Sequence, residues 1–354
     1  MRGTQTHRPA ALAAAVLLVS LLLAPPASAH ERWFVEDAPG GDWGFFFSPL
    51  PLTLAAVMMV VTVVWRWVGT RVESPELPVL RPLGRLAPFV PRLLAIHIGV
   101  NLLALAATGD FLAHSLELDQ VPTGAFAGLA EAALGVWFIT GIRLRAAALG
   151  LVVLGPLALL AAGPVALFES AALLGVAAFV ALLPPSDGTF GRVDAVPVRL
   201  RWALFALRAG VAVALITLAF SEKFTNPQLA HATLEAYPSL NVLTLVGVHL
   251  PTDTFIVVAG SIELLFGLLV LSGAMPQVAV LVAAVPFNAT LVLFGQTELI
   301  GHLPVYGVFL TLIVYGSNAH TAAAVRWLPS LTQLRAAGRT VVARVRATAV
   351  ADAI

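Results

Sequence analysis

Long apolar runs separated by short polar segments dominate this chain. Nine runs approach the ~20 residues that a helix needs to cross a bilayer, at about 45–68, 88–108, 123–142, 146–162, 165–183, 201–220, 253–272, 277–294 and 303–321. The stretch from Leu54 to Val64 is apolar around its whole circumference, whereas the strands of a membrane barrel alternate apolar and polar residues. The pattern predicts an all-α, polytopic membrane protein with about nine transmembrane helices.

Composition agrees with this pattern and excludes several classes of chemistry. The 354 residues are 59% hydrophobic and only 11% charged, which is atypical of a soluble domain. The chain contains no cysteine, so disulfides, thiol redox centres and cysteine-ligated metals are excluded. The net charge of +1 predicts no nucleic-acid partner, and the apolar runs predict membrane lipid as the partner.

The N-terminus has the pattern of a secretory signal. Arg2 and Arg8 precede an apolar run, and the small residues Ala27-Ser28-Ala29 follow it. We expect residues 1–29 to be a cleavable signal peptide, with an uncleaved anchor as the alternative. Residues 30–87 would then hold an outer segment, the first transmembrane helix and a cytoplasmic loop.

Most basic residues fall on one side of the predicted membrane, and only Arg32 and Lys223 are cations of the opposite loops. Under the positive-inside rule, the cytoplasmic segments are those with Arg66, Arg71, Arg81, Arg85, Arg92, Arg143, Arg145, Arg192, Arg199, Arg201, Arg326, Arg335, Arg339, Arg344 and Arg346. The opposite loops are acidic and hold five of the eight histidines. We expect a bacterial-type inner (plasma) membrane location with the mature N-terminus outside. Residues 322–354 would form a cytoplasmic basic amphipathic tail.

An internal repeat organises the runs after the first. A shift of 132 positions, the distance from Glu131 to Glu263, also carries Gly135, Gly141 and Gly175 onto other glycines, and a shift of 111 carries Gly99 onto Gly210. Acidic residues are rare within membrane spans, so their coincidence favours a true repeat. The shifts predict two parallel four-helix-bundle repeats, 88–185 and 200–321, with an outer insertion at 228–250 in the second.

The second unit resembles a known family through four motifs. These are Arg208-Ala-Gly210, SEKFTNP from Ser221 to Pro227, GSIELLFG from Gly260 to Gly267, and TELIGHLP from Thr297 to Pro304. They resemble the DoxX-like integral membrane proteins, which are four-helix proteins. The first unit, with Gly109-Asp110-Phe111-Leu112 in place of the Glu-Lys motif, would be a diverged copy.

The resemblance implies a fold more than a reaction. A few such proteins are similar to subunits of membrane complexes that pass electrons to quinone. The first hypothesis is therefore a redox-associated subunit that has protein partners and binds a quinone-like or small anionic molecule near the outer face. The alternatives are a transporter or metal-handling protein, for which parallel repeats are familiar, and a non-catalytic membrane scaffold. Phosphate loops, GxSxG elbows and HExxH zinc signatures are missing, so enzyme activity is left open.

Two buried charges in the second unit are expected to meet. Arg208 and Glu263 both lie many residues from the outer ends of their helices. Because an α-helix rises ~1.5 Å per residue, both side chains are expected deep in the membrane. Because an unpaired charge in a membrane is costly, we expect an ion pair or a protonated Glu263. A proton relay, a polar pocket for a quinone carbonyl and a structural clamp are the interpretations left open. His97 and Glu131 are the diverged counterparts in the first unit.

Glu222 and Lys223 lie at the predicted outer mouth of the second unit. Lysine and arginine together number 20, and Lys223 is the single lysine. This bias suggests a position that requires a compact ammonium, which could hold an anionic substrate beside Glu222. A snorkelling interfacial lysine is the alternative.

Two weaker patterns suggest metal-binding sites. Glu298 and His302 are four residues apart and would share a helix face, where His231 or His249 could complete a site. Hydrogen bonding at the outer surface is the alternative. His30, if exposed by cleavage, offers an amine and an imidazole that suit copper. Quinone and copper are thus the cofactors considered.

Overall fold

The computed structural model describes residues 34–35, 41–72, 76–119, 123–184, 191–245 and 247–340. The predicted signal peptide, His30 and the end of the tail from residue 341 lie outside these described residues. Within them the protein is helical apart from one short hairpin.

The first long helix stands at the edge of the bundle. A short turn, α1 (Trp43–Phe46), precedes α2 (Pro49–Arg71), whose 23 residues reach about 34 Å at ~1.5 Å per residue. Much of its apolar surface is exposed, as at Val63. Its inner face packs through Trp65, whose indole donates a hydrogen bond of 2.8 Å to the carbonyl of Ala274. This is the arrangement of a helix that faces lipid on one side.

The remaining elements alternate in direction between two ends of the bundle. A 3₁₀ segment (Pro78–Phe89) leads into α3 (Val90–Thr108), and strands β1 (Asp110–Phe111) and β2 (Ala113–Glu117) form an antiparallel hairpin. After them come α4 (Gly124–Thr140), α5 (Leu144–Glu169), α6 (Ala171–Leu182), α7 (Pro197–Leu218), a π-helical segment (Ala219–Phe224), α8 (Pro227–Ala236), a 3₁₀ turn (Pro238–Leu240), α9 (Val242–Leu245), α10 (Thr252–Ser272), α11 (Pro276–Phe294), α12 (Gln296–Ser317) and α13 (Ala322–Val325). Residues 331–340 are again helical.

Six helices in the described residues are long and apolar enough to cross a membrane. A seventh candidate is the pair Gly163–Glu169 and Ala171–Leu182, bent by 54°. The helices Gly124–Thr140 and Leu144–Gly155 are apolar but shorter. The structure therefore supports a helical membrane protein, and the expected count of nine spans is not confirmed.

Glycines allow the helices to approach closely. A Cβ added to Gly99 of α3 would lie 2.6 Å from the carbonyl oxygen of Gly135 in α4. A Cβ added to Gly210 of α7 would lie 2.5 Å from the carbonyl oxygen of Ala171 in α6. Small residues at such crossings bring backbones into van der Waals contact, which drives association where lipid removes the hydrophobic effect between helices. These two crossings anchor the bundle.

One end of the bundle, here called the arginine end, carries Arg66, Arg71, Arg92, Arg143, Arg145, Arg199 and Arg326. Several of these arginines bind the last carbonyls of neighbouring helices. Arg92 donates to Phe138 at 2.9 Å and to Ile139, Arg66 to Ser272 at 2.5 Å, and Arg145 to Ala181 at 3.0 Å. Helix C-termini leave carbonyls without intrahelical partners, and cations there also favour the helix dipole. These arginines therefore stabilise helix ends.

The opposite end, here called the acidic end, carries Asp110, Glu117, Asp119, Glu235, Asp253 and Glu298. The β1-β2 hairpin and α8 lie there, between helices that turn back into the bundle. The elements of the site described next meet just inside this end.

Candidate functional site

A π-helical segment turns two consecutive charged residues into the protein. The segment is Ala219–Phe224, and Thr225 caps its C-terminal end. The amide of Thr225 donates a hydrogen bond of 2.9 Å to the carbonyl of Phe220, five residues earlier. Neighbouring residues of an α-helix point about 100° apart, and a widened π turn changes that spacing and often occurs at functional sites. Glu222 and Lys223 are 2% and 1% exposed. The predicted outer-mouth lysine is therefore buried and does not snorkel.

Lys223 is the centre of a buried carboxylate cluster. Its Nζ lies 3.0 Å from Oε1 of Glu263 and 3.7 Å from Oε2 of Glu222. Gly260 precedes Glu263 by about one turn of α10, and a Cβ there would come within 3.1 Å of the Lys223 Cβ. The small residue lets the lysine stem run along α10 to reach Glu263.

Glu298 and His302 join the same cluster from α12. The Nδ1 of His302 lies 3.1 Å from Oε1 of Glu298, and both side chains are buried. The carboxylate of Glu298 lies near enough to Glu263 to repel it. The ring of His302 packs edge-on against Phe287, 4.6 Å between centroids. The i, i+4 prediction is confirmed as a contact, but in the interior and not at the outer surface.

Arg208 does not pair with Glu263, so that expectation was wrong. Its guanidinium donates to the carbonyl of Leu271 at 3.2 Å and to that of Trp327, at the arginine end. Side chains on a helix tilt toward its N-terminus, and α7 starts at the arginine end. Arg208 is therefore directed away from Glu263, and Lys223, about four turns further along, takes the place that the arginine was expected to fill.

The diverged counterparts also fail to pair with each other. His97 Nε2 lies 2.6 Å from the carbonyl of Leu303 in α12, and Glu131 Oε1 accepts a hydrogen bond of 3.0 Å from the amide of Leu112. Glu131 is fully buried. Glu131 therefore has a backbone amide as its donor, whereas Glu263 contacts the Lys223 ammonium.

The histidines proposed as additional metal ligands lie elsewhere. His231 Nε2 contacts Asp253 Oδ1 at 2.7 Å on an open surface, and His249 is exposed. Across the described residues, no three or more histidine, cysteine, aspartate or glutamate side chains are grouped to hold a metal ion. His30 lies outside those residues.

Glu169 is a site residue that the sequence reasoning missed. It ends α5, and Ser170 separates it from α6 at the 54° bend. The hydroxyl of Ser221 donates to Glu169 Oε1 at 2.9 Å, which ties the bend to the π-helical segment. A glutamate followed by serine near the start of the apolar run 165–183 was the signal that could have revealed it.

A cavity of about 50 Å³ lies between the bend, α7 and α12. Its polar walls are Glu169, Ser170 and Glu222, and Gly301 and Pro304 close the side formed by α12. By the usual measure a buried water requires roughly 10–15 Å³. The cavity therefore suits water molecules or a small ion beside the cluster.

Charge in this region is strongly one-sided. Glu222, Glu263 and Glu298 face one lysine and one histidine, and Glu169 adds a further carboxyl at the cavity. In a low dielectric, uncompensated carboxylates are costly. Buried carboxylates at such a place need protons, cations or hydrogen-bond donors around them.

Comparison with known proteins gave no relative: no family model, no curated protein and no solved structure matches the chain. The resemblance to DoxX-like proteins therefore stays a prediction.

Proposed function

We propose that this chain is a proton-coupled membrane transporter in which the buried cluster of Glu222, Lys223, Glu263, Glu298 and His302 binds and releases protons. The observation that carries the proposal is the burial of three glutamates beside one lysine and one histidine. Buried acid and histidine chains are typical of proton relays in transporters.

The proposal includes the parallel four-helix repeat, which is a familiar transporter architecture. Backbone features recur at the 132-position shift in support of it. Gly141 and Gly273 both end their helices with positive φ, of 82° and 65°. Gly163 and Gly295, with φ of 79° and 63°, both break the chain before the last helix of a unit. Positive φ is ordinary for glycine, but Arg143 and Met275, also 132 positions apart, have φ of 48° and 44°, which is uncommon for residues with a side chain.

Side-chain contacts follow the same correspondence. Glu131 meets Leu112 and Glu263 meets Lys223, and Leu112 and Lys223 are 111 positions apart. Gly175 of α6 packs on α7, and Gly307 of α12 packs on α3, so that the last helix of each unit lies against the first helix of the other. We infer that the two four-helix units are related by an approximate twofold axis along the membrane normal. The helix α2 is one further span, which brings the proposed total to nine and lies outside the repeat.

In the membrane we place the acidic end outside and the arginine end in the cytoplasm. The sorting of arginines supports this orientation through the positive-inside rule. The proposed location is the plasma membrane of a bacterial-type cell, with the C-terminus inside. The cluster then receives protons from the outer side.

The redox-associated subunit remains an alternative prediction that the geometry favours less. A cavity of about 50 Å³ is smaller than the roughly 150 Å³ that accommodates a benzene ring, and carboxylates predominate where a small anion would need cations. Water and protons fit this site better than a quinone head group.

Proton binding can be tested with protein reconstituted in sealed liposomes. We expect an imposed inside-negative potential to drive proton uptake, reported by an entrapped pH dye, and infrared spectra to show a buried protonated carboxyl. Glu263→Gln should abolish the uptake and change that carboxyl band, whereas Glu235→Gln, on the exposed surface of α8, should leave both unchanged. Uptake that equals that of empty liposomes, with no such band, would refute the proposal.

A further inference from the structure

We propose that the 3₁₀ segment Pro78–Phe89 binds an anionic phospholipid of the leaflet at the arginine end. Arg81 and Arg85 hold its phosphate, and an apolar stripe of the same segment holds one of its acyl chains. This inference goes beyond proton binding and does not depend on it. It requires only that the apolar helices lie in a membrane.

Prolines give this segment its 3₁₀ geometry. Pro78, Pro82 and Pro88 lie in it; proline has no amide hydrogen, and its fixed φ near −65° is compatible with a 3₁₀ helix. Such a helix has 3.0 residues per turn, so side chains three positions apart lie directly above one another. The 12 residues of the segment therefore present three stripes of side chains.

One stripe packs against the bundle and fixes the depth of the segment. Its members Gly84 and Ala87 are buried. A Cβ added to Gly84 would lie 2.7 Å from the carbonyl oxygen of Ser317, the last residue of α12, and Asn318 donates a hydrogen bond of 3.1 Å to the carbonyl of Gly84. The 22 residues of α12 span about 33 Å, close to the ~30 Å of hydrocarbon in a bilayer. Gly84 therefore lies near the boundary between hydrocarbon and head groups.

A second stripe is apolar and exposed, and it consists of Leu83, Leu86 and Phe89. At ~2.0 Å per residue it is roughly 12 Å long. The segment and α3 form one candidate membrane span, and His97 of α3 contacts the carbonyl of Leu303 within α12. The stripe therefore runs from the head-group level into the hydrocarbon, where an acyl chain is the occupant that matches its length and polarity.

The two arginines lie at the outer end of this stripe. Arg81 and Arg85 are exposed, and neither guanidinium has a hydrogen bond or an ion pair with any described residue. At the same end Arg66, Arg92 and Arg145 bind helix carbonyls instead. Four residues of a 3₁₀ helix span ~8 Å, so two long side chains can reach one phosphate from either side.

The chemistry of these side chains favours an anionic head group. Guanidinium donates paired hydrogen bonds to phosphate oxygens and is more weakly hydrated than an ammonium group. Basic residues next to a membrane are attracted to anionic lipids. A zwitterionic head group presents a cation beside its phosphate, which opposes the approach of two arginines. Phosphatidylglycerol is therefore expected to bind better than phosphatidylcholine.

The experiment compares these two lipids by fluorescence quenching. The chain has no cysteine, so Leu93→Cys, exposed on α3 one helical turn beyond the stripe, takes a single fluorophore. The labelled full chain is reconstituted in phosphatidylcholine liposomes that contain a small fraction of either lipid with a nitroxide on its acyl chain. We expect phosphatidylglycerol to quench at a roughly tenfold lower mole fraction than phosphatidylcholine. A label at Val153→Cys, exposed on α5, should show no such preference.

Paired variants assign the preference to the two arginines. Arg81→Gln with Arg85→Gln should abolish it, whereas Arg81→Lys with Arg85→Lys should keep part of it, because lysine retains the charge without the paired donors. The matched control is Arg335→Gln with Arg339→Gln in the exposed helix 331–340, which removes two charges at the same spacing and should leave the preference unchanged. All these side chains are exposed, so circular dichroism should match the parent.

Several outcomes would overturn the lipid site. Equal quenching by the two lipids at Leu93 would show that no anionic lipid is selected there. A preference that survives Arg81→Gln with Arg85→Gln, or that is equally large at Val153, would show that the arginines do not hold the lipid. Millimolar inorganic phosphate should leave the preference intact, and its loss would mean that the arginines bind a free anion instead.

Discussion

The ammonium of Lys223 lies 3.0 Å from a carboxylate oxygen of Glu263, in a region where both side chains are almost completely buried. This single lysine of the chain therefore takes its charge into the bundle and not to its surface. Buried pairs of this kind are costly to form and more costly to break, because removal of one partner leaves an uncompensated charge. The pair explains why the position has a lysine, whose flexible stem can follow α10 past Gly260.

The first prediction concerns this pair. Lys223→Met should lower the free energy of unfolding by about 3–5 kcal/mol, because Glu263 would lose its counter-charge. Adding Glu263→Gln should recover most of the loss. Denaturant unfolding in detergent measures both, with Arg201→Gln on the exposed surface of α7 as control. A double variant no more stable than Lys223→Met would show that the two groups do not interact energetically.

The second prediction assigns Arg208 to structure. Arg208→Gln should lower stability, because the carbonyls of Leu271 and Trp327 lose a charged donor. It should leave the infrared band of the buried protonated carboxyl and its pH dependence unchanged. If instead Arg208→Gln altered that band as strongly as Glu222→Gln does, the arginine would belong to the proton-binding cluster after all.

The third prediction separates backbone strain from a steric clash at a helix end. Gly273 has φ +65°, and a Cβ there would lie 1.7 Å from Nη1 of Arg208, whereas Gly247 has φ +78° with nothing within 4 Å. Alanine at either position incurs the left-handed strain, roughly 1–2 kcal/mol. Gly273→Ala should cost clearly more in thermal unfolding, since Arg208 must also move. Equal losses would mean that Arg208 moves aside freely.

The fourth prediction concerns a proline inside α12. Pro304 has no amide hydrogen, so the carbonyl of Ile300 lacks its helical donor, and Nδ2 of Asn101 supplies one at 2.8 Å. Asn101→Leu should cost about 1–3 kcal/mol. In a Pro304→Ala background, where the substitution restores a backbone amide donor, the same change should cost measurably less. A double-mutant cycle with no coupling would contradict this account.

The fifth prediction tests orientation, and the absence of cysteine from the chain makes it direct. Single cysteines at Asp119 and Glu235 should react with an impermeant maleimide added to intact cells or spheroplasts. Cysteines at Arg143 and Arg335 should react only after permeabilisation. The reverse pattern would place the acidic end in the cytoplasm.

Much of the helical layout could be predicted without coordinates. Every apolar run corresponds to a helical stretch, and Glu298 and His302 do lie on one face of α12. The span count could not be secured, because the run 165–183 contains a bend at Ser170 and two helices are short. The Arg208–Glu263 pair was mispredicted, because depth along a helix does not specify in which direction a long side chain extends. Glu169 was missed, since an apolar average conceals a single acid.

The sequence by itself determined that the chain is built from apolar helices suited to a membrane, with arginines gathered at one end. Hydropathy and charge act through the solvent, so each segment carries that information without reference to its neighbours. Only the tertiary structure decided which charges meet. The π-helical turn that buries Glu222 with Lys223, the glycine crossings and the bend at Ser170 depend on how helices distant in sequence pack. Contacts between such helices are set by shape and not by any local pattern.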